Sequence, residues 1–173
     1  MKRREVFSNL GLGAFGVIAL PAWANGWSGA NIKKDNLGLS LDQNSLLEDL
    51  AETIIPETNT PGAKTLEIAK FIKTIMADIY SPEDRERFKV AISKVEDISK
   101  LLYGKTYNEC SKPQKIHLLQ GLDLSSDKDQ KWFFNTTKRL SVQAYTSSEY
   151  FLTNIAKFEF APGRYLGCVP VTQ

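Results

Sequence analysis

What this chain lacks narrows what it can be. Of its 173 residues one is histidine, His117, and two are cysteine, Cys110 and Cys168. A single histidine excludes multi-histidine metal sites and leaves any Ser-His-Asp arrangement hanging on one side chain. The cysteines are not in a Cys-x-x-Cys-His arrangement, so covalent c-type haem is not indicated. They leave three arrangements open: a disulfide closing a long loop and contributing about 3–5 kcal/mol, buried free thiols, or a Cys168 that faces a partner. No glycine-rich phosphate or dinucleotide loop stands in a strand–helix context; Gly11-Leu12-Gly13 belongs to the apolar leader described below. No stretch alternates as a convincing strand hairpin.

What is present begins at the N-terminus, MKRREVFSNLGLGAFGVIALPAWA. Lys2, Arg3 and Arg4 form a basic region, Val6 and Phe7 follow the arginine pair, and a Gly/Ala-rich apolar run extends from Leu10 to Leu20. Ala22 and Ala24 put small residues where a signal peptidase reads them, so cleavage is expected between Ala24 and Asn25. The arginine pair adds the mark of the twin-arginine route, whose cargo crosses the membrane folded. An ordinary export signal shares the basic start, whereas the apolar run falls short of the roughly 20 residues of a membrane span. A cytosolic helix is opposed by the glycines.

Charge of one sign is also missing. The leader holds three of the 22 basic and one of the 20 acidic residues, which leaves 19 of each in the remaining 149. A neutral mature chain gives no reason to expect nucleic acid or an anionic membrane surface as partner. Its length suits one domain burying roughly 70% of its unfolded surface, and 42% hydrophobic content fits a globular protein. The organisation read from the sequence is a leader over 1–24, a polar linker over 25–44, and a helical domain over 45–173.

Five helices are expected. The first opens at Ser45, spaced with Glu48 as a capping box, and carries Leu46, Leu47, Leu50, Ala51, Ile54 and Ile55 until Pro56 stops it. After a turn over 57–63, a second runs from about Lys64 to Tyr80 with Leu66, Ala69, Phe71, Ile72, Ile75, Met76 and Ile79 on its apolar side. Ser81-Pro82-Glu83-Asp84 starts a third, carrying Phe88, Val90, Ala91, Val95, Ile98, Leu101 and Leu102 and ending at Gly104. Ser111 and Gln114 cap a short fourth that ends near Gly121. Asp127 caps a long fifth through Trp132, Phe133, Thr136, Leu140 and Ala144, with a break near Thr146-Ser147-Ser148 before Tyr150, Phe151 and Ile155. The tail from Lys157 to Gln173 should be extended and packed on the bundle. The class is all-α.

No residue set reads as a catalytic, cofactor or metal site. Asp84, Glu86, Glu96 and Asp97 interleave with Arg85, Arg87, Lys89 and Lys94, the pattern of a solvated, paired helix face. Trp132, Phe133 and Phe134 are consecutive, too many for one narrow stripe. They are either core plus the underside of a loop or a partner interface.

Two segments carry a resemblance. Ile54-Ile55-Pro56-Glu57-Thr58-Asn59-Thr60-Pro61-Gly62-Ala63 resembles the opening motif of the gluconate 2-dehydrogenase subunit 3 family, which usually has Asp at the place of Asn59. Tyr145-Thr146-Ser147-Ser148-Glu149 followed by Pro162-Gly163-Arg164-Tyr165-Leu166-Gly167-Cys168-Val169-Pro170 resembles its closing motif, with Thr146-Ser147-Ser148 where the family tends toward Phe-Thr-Ser. A twin-arginine signal is typical of the same family.

The resemblance implies a non-catalytic small subunit, bound to a large FAD-dependent sugar or polyol dehydrogenase of the glucose-methanol-choline type and often accompanied by a cytochrome c subunit. The FAD belongs to the large subunit, which the small one helps to mature and carries to the periplasm, with transient contact to the twin-arginine machinery. Partner contacts are then expected from Pro56, Glu57, Thr58, Thr60, Pro61 and Gly62, from Trp132–Phe134, and from the closing-motif residues Ser148, Glu149, Pro162, Gly163, Tyr165, Gly167 and Cys168. Two other readings stand beside it: a free-standing periplasmic enzyme or ligand-binding bundle using His117, and a cytoplasmic maturation chaperone whose N-terminus is never cleaved.

Overall fold

The computed structural model describes residues 37–159 and Gly163. Among them are five α-helices: α1 (Leu41–Ile54), α2 (Ile68–Asp78), α3 (Pro82–Tyr103), α4 (Lys112–Asp123) and α5 (Lys128–Thr146). A single π-helical turn, Phe151–Ile155, follows. The all-α class expected from the sequence is what the chain adopts. The leader, most of the linker and nearly all of the tail lie outside the described residues.

Local signals set most of the boundaries. Ser81 caps α3 by accepting from the Asp84 N–H at 3.1 Å, with Pro82 in the first turn, and Gly104 closes it in the left-handed region at φ 66°. Gln114 Oε1 accepts from the Ser111 N–H at 2.8 Å at the start of α4. Asp127 accepts from the Asp129 N–H at 2.8 Å to open α5. The expected break falls after Thr146, where Ser148 Oγ donates to the Tyr145 carbonyl at 2.7 Å and accepts from the Phe151 N–H at 3.2 Å.

Two starts differ from the sequence reading. The first helix begins at Leu41, not Ser45, because Ser40 and Gln43 form a capping box of their own, with the Gln43 N–H on Ser40 Oγ at 3.2 Å. Leu37, 1% exposed, anchors the entering chain in the core, so the end of the supposed linker is folded. Ser45 instead accepts from the Asn108 side chain at 2.8 Å. In the second helix the chain makes a turn over 63–67 before α2 starts at Ile68, with Glu67 held left-handed at φ 51°. The fourth helix runs two residues past Gly121 to Asp123.

The centre is α5, which packs against all four other α-helices. That position widens its buried arc to include Phe133, Phe134, Thr136, Thr137, Leu140, Ser141 and Ala144. Around it pack Leu46, Leu47 and Leu50 of α1, Ile68, Ile72 and Met76 of α2, Phe88, Ile92 and Val95 of α3, and Leu118, Leu119 and Leu122 of α4. Phe88 and Phe133 meet with ring centroids 4.9 Å apart. Ile79, Val90, Leu101 and Leu102, expected on apolar faces, are exposed. The buried row of α3 runs through Phe88, Ile92, Val95 and Ser99. Leu101 falls about 200° around the helix from Ser99.

Thr137 Oγ1 and Ser141 Oγ, both buried on α5, have no hydrogen-bond partner among the described residues. A buried hydroxyl without a partner costs free energy that an isosteric methyl does not. Thr137→Val is therefore expected to stabilise the domain by about 1 kcal/mol, seen as a rise in the thermal midpoint. An unchanged or lower midpoint would show that the hydroxyl has a partner in solution.

Candidate functional site

The opening motif, Pro56 to Ala63, is held from inside by α1. Pro56 cannot continue the helix, and the chain reverses over 57–62. Glu52, on the last turn of α1, reaches into that reversal. Its Oε1 accepts from the Glu57 N–H at 2.8 Å and its Oε2 from the Lys64 N–H at 2.9 Å. One carboxylate thus satisfies a backbone donor at each end of the turn, and charge-assisted bonds of this kind are the strong ones. The Ala63 N–H closes the loop on the Ile55 carbonyl at 3.0 Å, and Thr65 Oγ1 donates to Glu57 at 2.9 Å. Thr58 and Thr60 bond one another across the exposed tip, where Asn59 sits in solvent.

Gly62 is buried at the closest point. A Cβ there would stand 2.5 Å from the Glu57 nitrogen and 2.7 and 2.8 Å from the Glu52 oxygens. Glycine is required by close approach, not by its dihedral freedom.

One turn earlier on α1, Asp49 collects two lysines. It is ion-paired with Lys64 from the turn, and Lys115 of α4 donates to its Oδ2 at 2.6 Å. Burial disfavours the charge of Asp49, but the hydrogen bonds from Lys115 and Lys64 together outweigh it and hold the carboxyl below its ordinary value. The bond to Asp49 likewise raises Lys64. Lys115 also lies 5.5 Å above the ring of Tyr107, which is fully buried. The Tyr107 hydroxyl donates to Thr53 Oγ1 at 3.2 Å, Thr53 donates to the Asp49 carbonyl at 2.7 Å, and burial pushes the phenol above its ordinary value. Asp49, Glu52 and Thr53 therefore form one polar face of α1 that fastens the motif turn, α4 and the α3–α4 connection. This arrangement can position backbone; its charged groups face one another.

The aromatic run divides. Phe133 and Phe134 are buried in the core. Trp132 is half-buried at the edge, with the Arg87 guanidinium 4.3 Å over its ring and Tyr80 edge-on at 6.4 Å. Arg87 is fixed in turn by Asp129 at 2.7 Å.

His117 is exposed on α4, with Nδ1 2.8 Å from the Tyr103 hydroxyl. The imidazole faces solvent among the described residues, whereas an enzyme or ligand-binding bundle built on His117 needs a deep pocket around it. Cys110 is buried and forms no disulfide among the described residues, its Sγ 3.2 Å from Ser99 Oγ. Cys168, its partner in the disulfide alternative, lies outside the described residues. So do Arg3, Arg4, Val6, Phe7, Ala22, Ala24, Asn25, Pro162, Tyr165 and Gly167. Ser148 acts as a cap, and Glu149 and Gly163 are exposed. Among the described residues no group of three or more His, Cys, Asp and Glu side chains is placed to hold a metal ion, and no helix is long and apolar enough to cross a membrane.

Asp49, Glu52, Lys64, Tyr107 and Lys115 carry the geometry without having been singled out in the sequence. The only trace was a pair of acids one turn apart just before Pro56, which reads equally well as solvated surface.

These features define a class: a small all-α domain in which the Pro56–Ala63 motif forms a turn clamped by a carboxylate of α1. The family model for gluconate 2-dehydrogenase subunit 3 matches residues 41–163, and the chain belongs to that family. The match begins at the first residue of α1. The family is that of a small subunit associated with a dehydrogenase complex. No curated protein and no solved structure gives a match to the chain.

Proposed function

We propose that this chain is the non-catalytic small subunit that binds an FAD-dependent dehydrogenase of the glucose-methanol-choline type, assists its maturation and carries it to the periplasm by the twin-arginine route. The FAD is held by the large subunit, and a cytochrome c subunit is a further partner of the assembly. One observation carries the reading: a domain matched over residues 41–163 by a dehydrogenase-subunit family follows a segment with the sequence Met-Lys-Arg-Arg and an apolar run, the pattern of a twin-arginine leader. An address for folded cargo needs a chain that folds before export. The core described above, closed by side chains from all five α-helices, suits that order of events.

The test is the fate of the partner. With tagged full-length chain expressed in its own host, the wild type should bring a protein with flavin absorbance into the periplasmic fraction. Replacing Arg3 and Arg4 together by lysine keeps the charge and removes the guanidinium pair. Both proteins should then stay in the cytoplasm. A chain exported alone, with the flavoprotein's location indifferent to it, would overturn the proposal.

A further inference from the structure

The edge of the bundle where α2 ends, α3 begins and α5 passes carries a compact group of aromatic and basic side chains. Tyr80, just past α2, is its hub. Arg139 of α5 donates to the Tyr80 hydroxyl, and Arg85 of α3 donates from Nε to the Tyr80 carbonyl at 2.9 Å. Trp132 meets the Tyr80 ring edge-on. Ile79, 70% exposed, adds an apolar side chain at the rim.

The charges in this group are unevenly matched. Arg87 has its carboxylate in Asp129. Arg85 and Arg139 make no ion pair among the described residues. Each guanidinium presents five donors in a planar fork, and each of these two uses one of them on Tyr80. The remaining donors suit a planar acceptor such as a carboxylate, which an arginine fork binds through two parallel bonds. Trp, Tyr and Arg at one place are also the residue types that anchor protein interfaces, where a packed aromatic excludes water around the charged contact. A lipid surface would call for a wider basic field, and the mature chain is neutral.

We infer that the Tyr80–Arg85–Trp132–Arg139 patch is the docking surface for an acidic segment of the flavoprotein subunit, Asp or Glu side chains entering between the two arginines with an apolar neighbour on Trp132. This rests on the proposed accessory role and names the surface that performs it.

The experiment compares capture of the flavoprotein, read from its flavin absorbance, by tagged wild-type chain, by Arg85→Glu/Arg139→Glu, and by Lys105→Glu/Lys112→Glu. The last pair makes the same charge change near the other end of α3, about 30 Å away at 1.5 Å per residue. Arg139→Glu alone alters an exposed side chain and keeps the test intact if the double variant folds poorly. Circular dichroism of each variant checks the fold. The expected result is capture weakened about tenfold or more by either arginine variant and unchanged by the lysine pair. Wild-type capture should also weaken as salt rises.

Equal capture by all variants, with wild-type capture intact, overturns the patch and leaves the accessory role standing. Failure of the wild type to capture any flavoprotein overturns both. Variants that retain capture but lose self-association in gel filtration, or lose binding to anionic phospholipid vesicles, would assign the patch to a second copy or to a membrane and would equally overturn the inference.

Discussion

Replacing Gly62 by alanine is expected to cost the domain about 3 kcal/mol, a fall of roughly 6–12 °C in the thermal midpoint. The new Cβ would stand 2.5 Å from the Glu57 nitrogen and under 3 Å from both Glu52 oxygens. The first neighbour is backbone, and the other two belong to a carboxylate already fixed by two amides. Relief requires the turn to move away from α1. That breaks the bonds to the Glu57 and Lys64 N–H groups, each worth about 1.5–3 kcal/mol when the acceptor is charged. Gly121→Ala is the control: nothing lies within 4 Å of a Cβ there, and alanine gains up to ~1 kcal/mol of helix propensity. Thermal unfolding followed by circular dichroism decides it. A Gly62→Ala protein melting with the wild type would mean that the turn is not clamped as described.

The second large effect is at Asp49. Asp49→Ala removes the carboxylate between Lys64 and Lys115 and leaves two ammonium groups facing one another. Removing one partner of a buried pair costs about 3–5 kcal/mol, and partial exposure of Lys64 brings the expectation to about 2–3. The pH dependence follows from the shifts. The folded carboxyl titrates below its ordinary 3.8, so its contribution is whole above that value and is lost as pH falls through the lower folded value. Lys64 titrates above its ordinary 10.5 when folded, so its share is whole below 10.5 and is lost as pH rises through the higher folded value. The stability gap between wild type and Asp49→Ala should be flat from about pH 5 to about pH 9 and narrow below about pH 4. Urea unfolding across that range measures it. A gap that widened in acid would contradict the assignment.

Where signals are local, the sequence was sufficient. Ser81-Pro82 and Gly104 bound α3, Ser111 and Gln114 open α4, and the polar break after Thr146 marks the end of α5, each through caps that act within one turn. The start of α1 was ambiguous because Ser40/Gln43 and Ser45/Glu48 both have capping-box spacing. The burial of Leu37, a tertiary fact, selects the earlier one. The motif turn was recognisable from Pro56, Pro61 and Gly62, but its clamp was not. Lys115 reaches Asp49 across 66 residues of chain. The aromatic run was legible as an anomaly, too many rings for one narrow stripe. A helix packed against four others has an arc wide enough for Phe133 and Phe134, leaving Trp132 at its border.

The Glu52 clamp gives the exposed motif turn a place in the hierarchy of local openings. A surface loop ordinarily fluctuates on its own, at small free-energy cost. Here the Glu57 and Lys64 amides open only by releasing a carboxylate rooted in the last turn of α1, while Lys64 is tethered to Asp49 one turn earlier. The turn and the end of α1 therefore open together, as one cooperative unit, and the loop takes on the rigidity of the helix that precedes it.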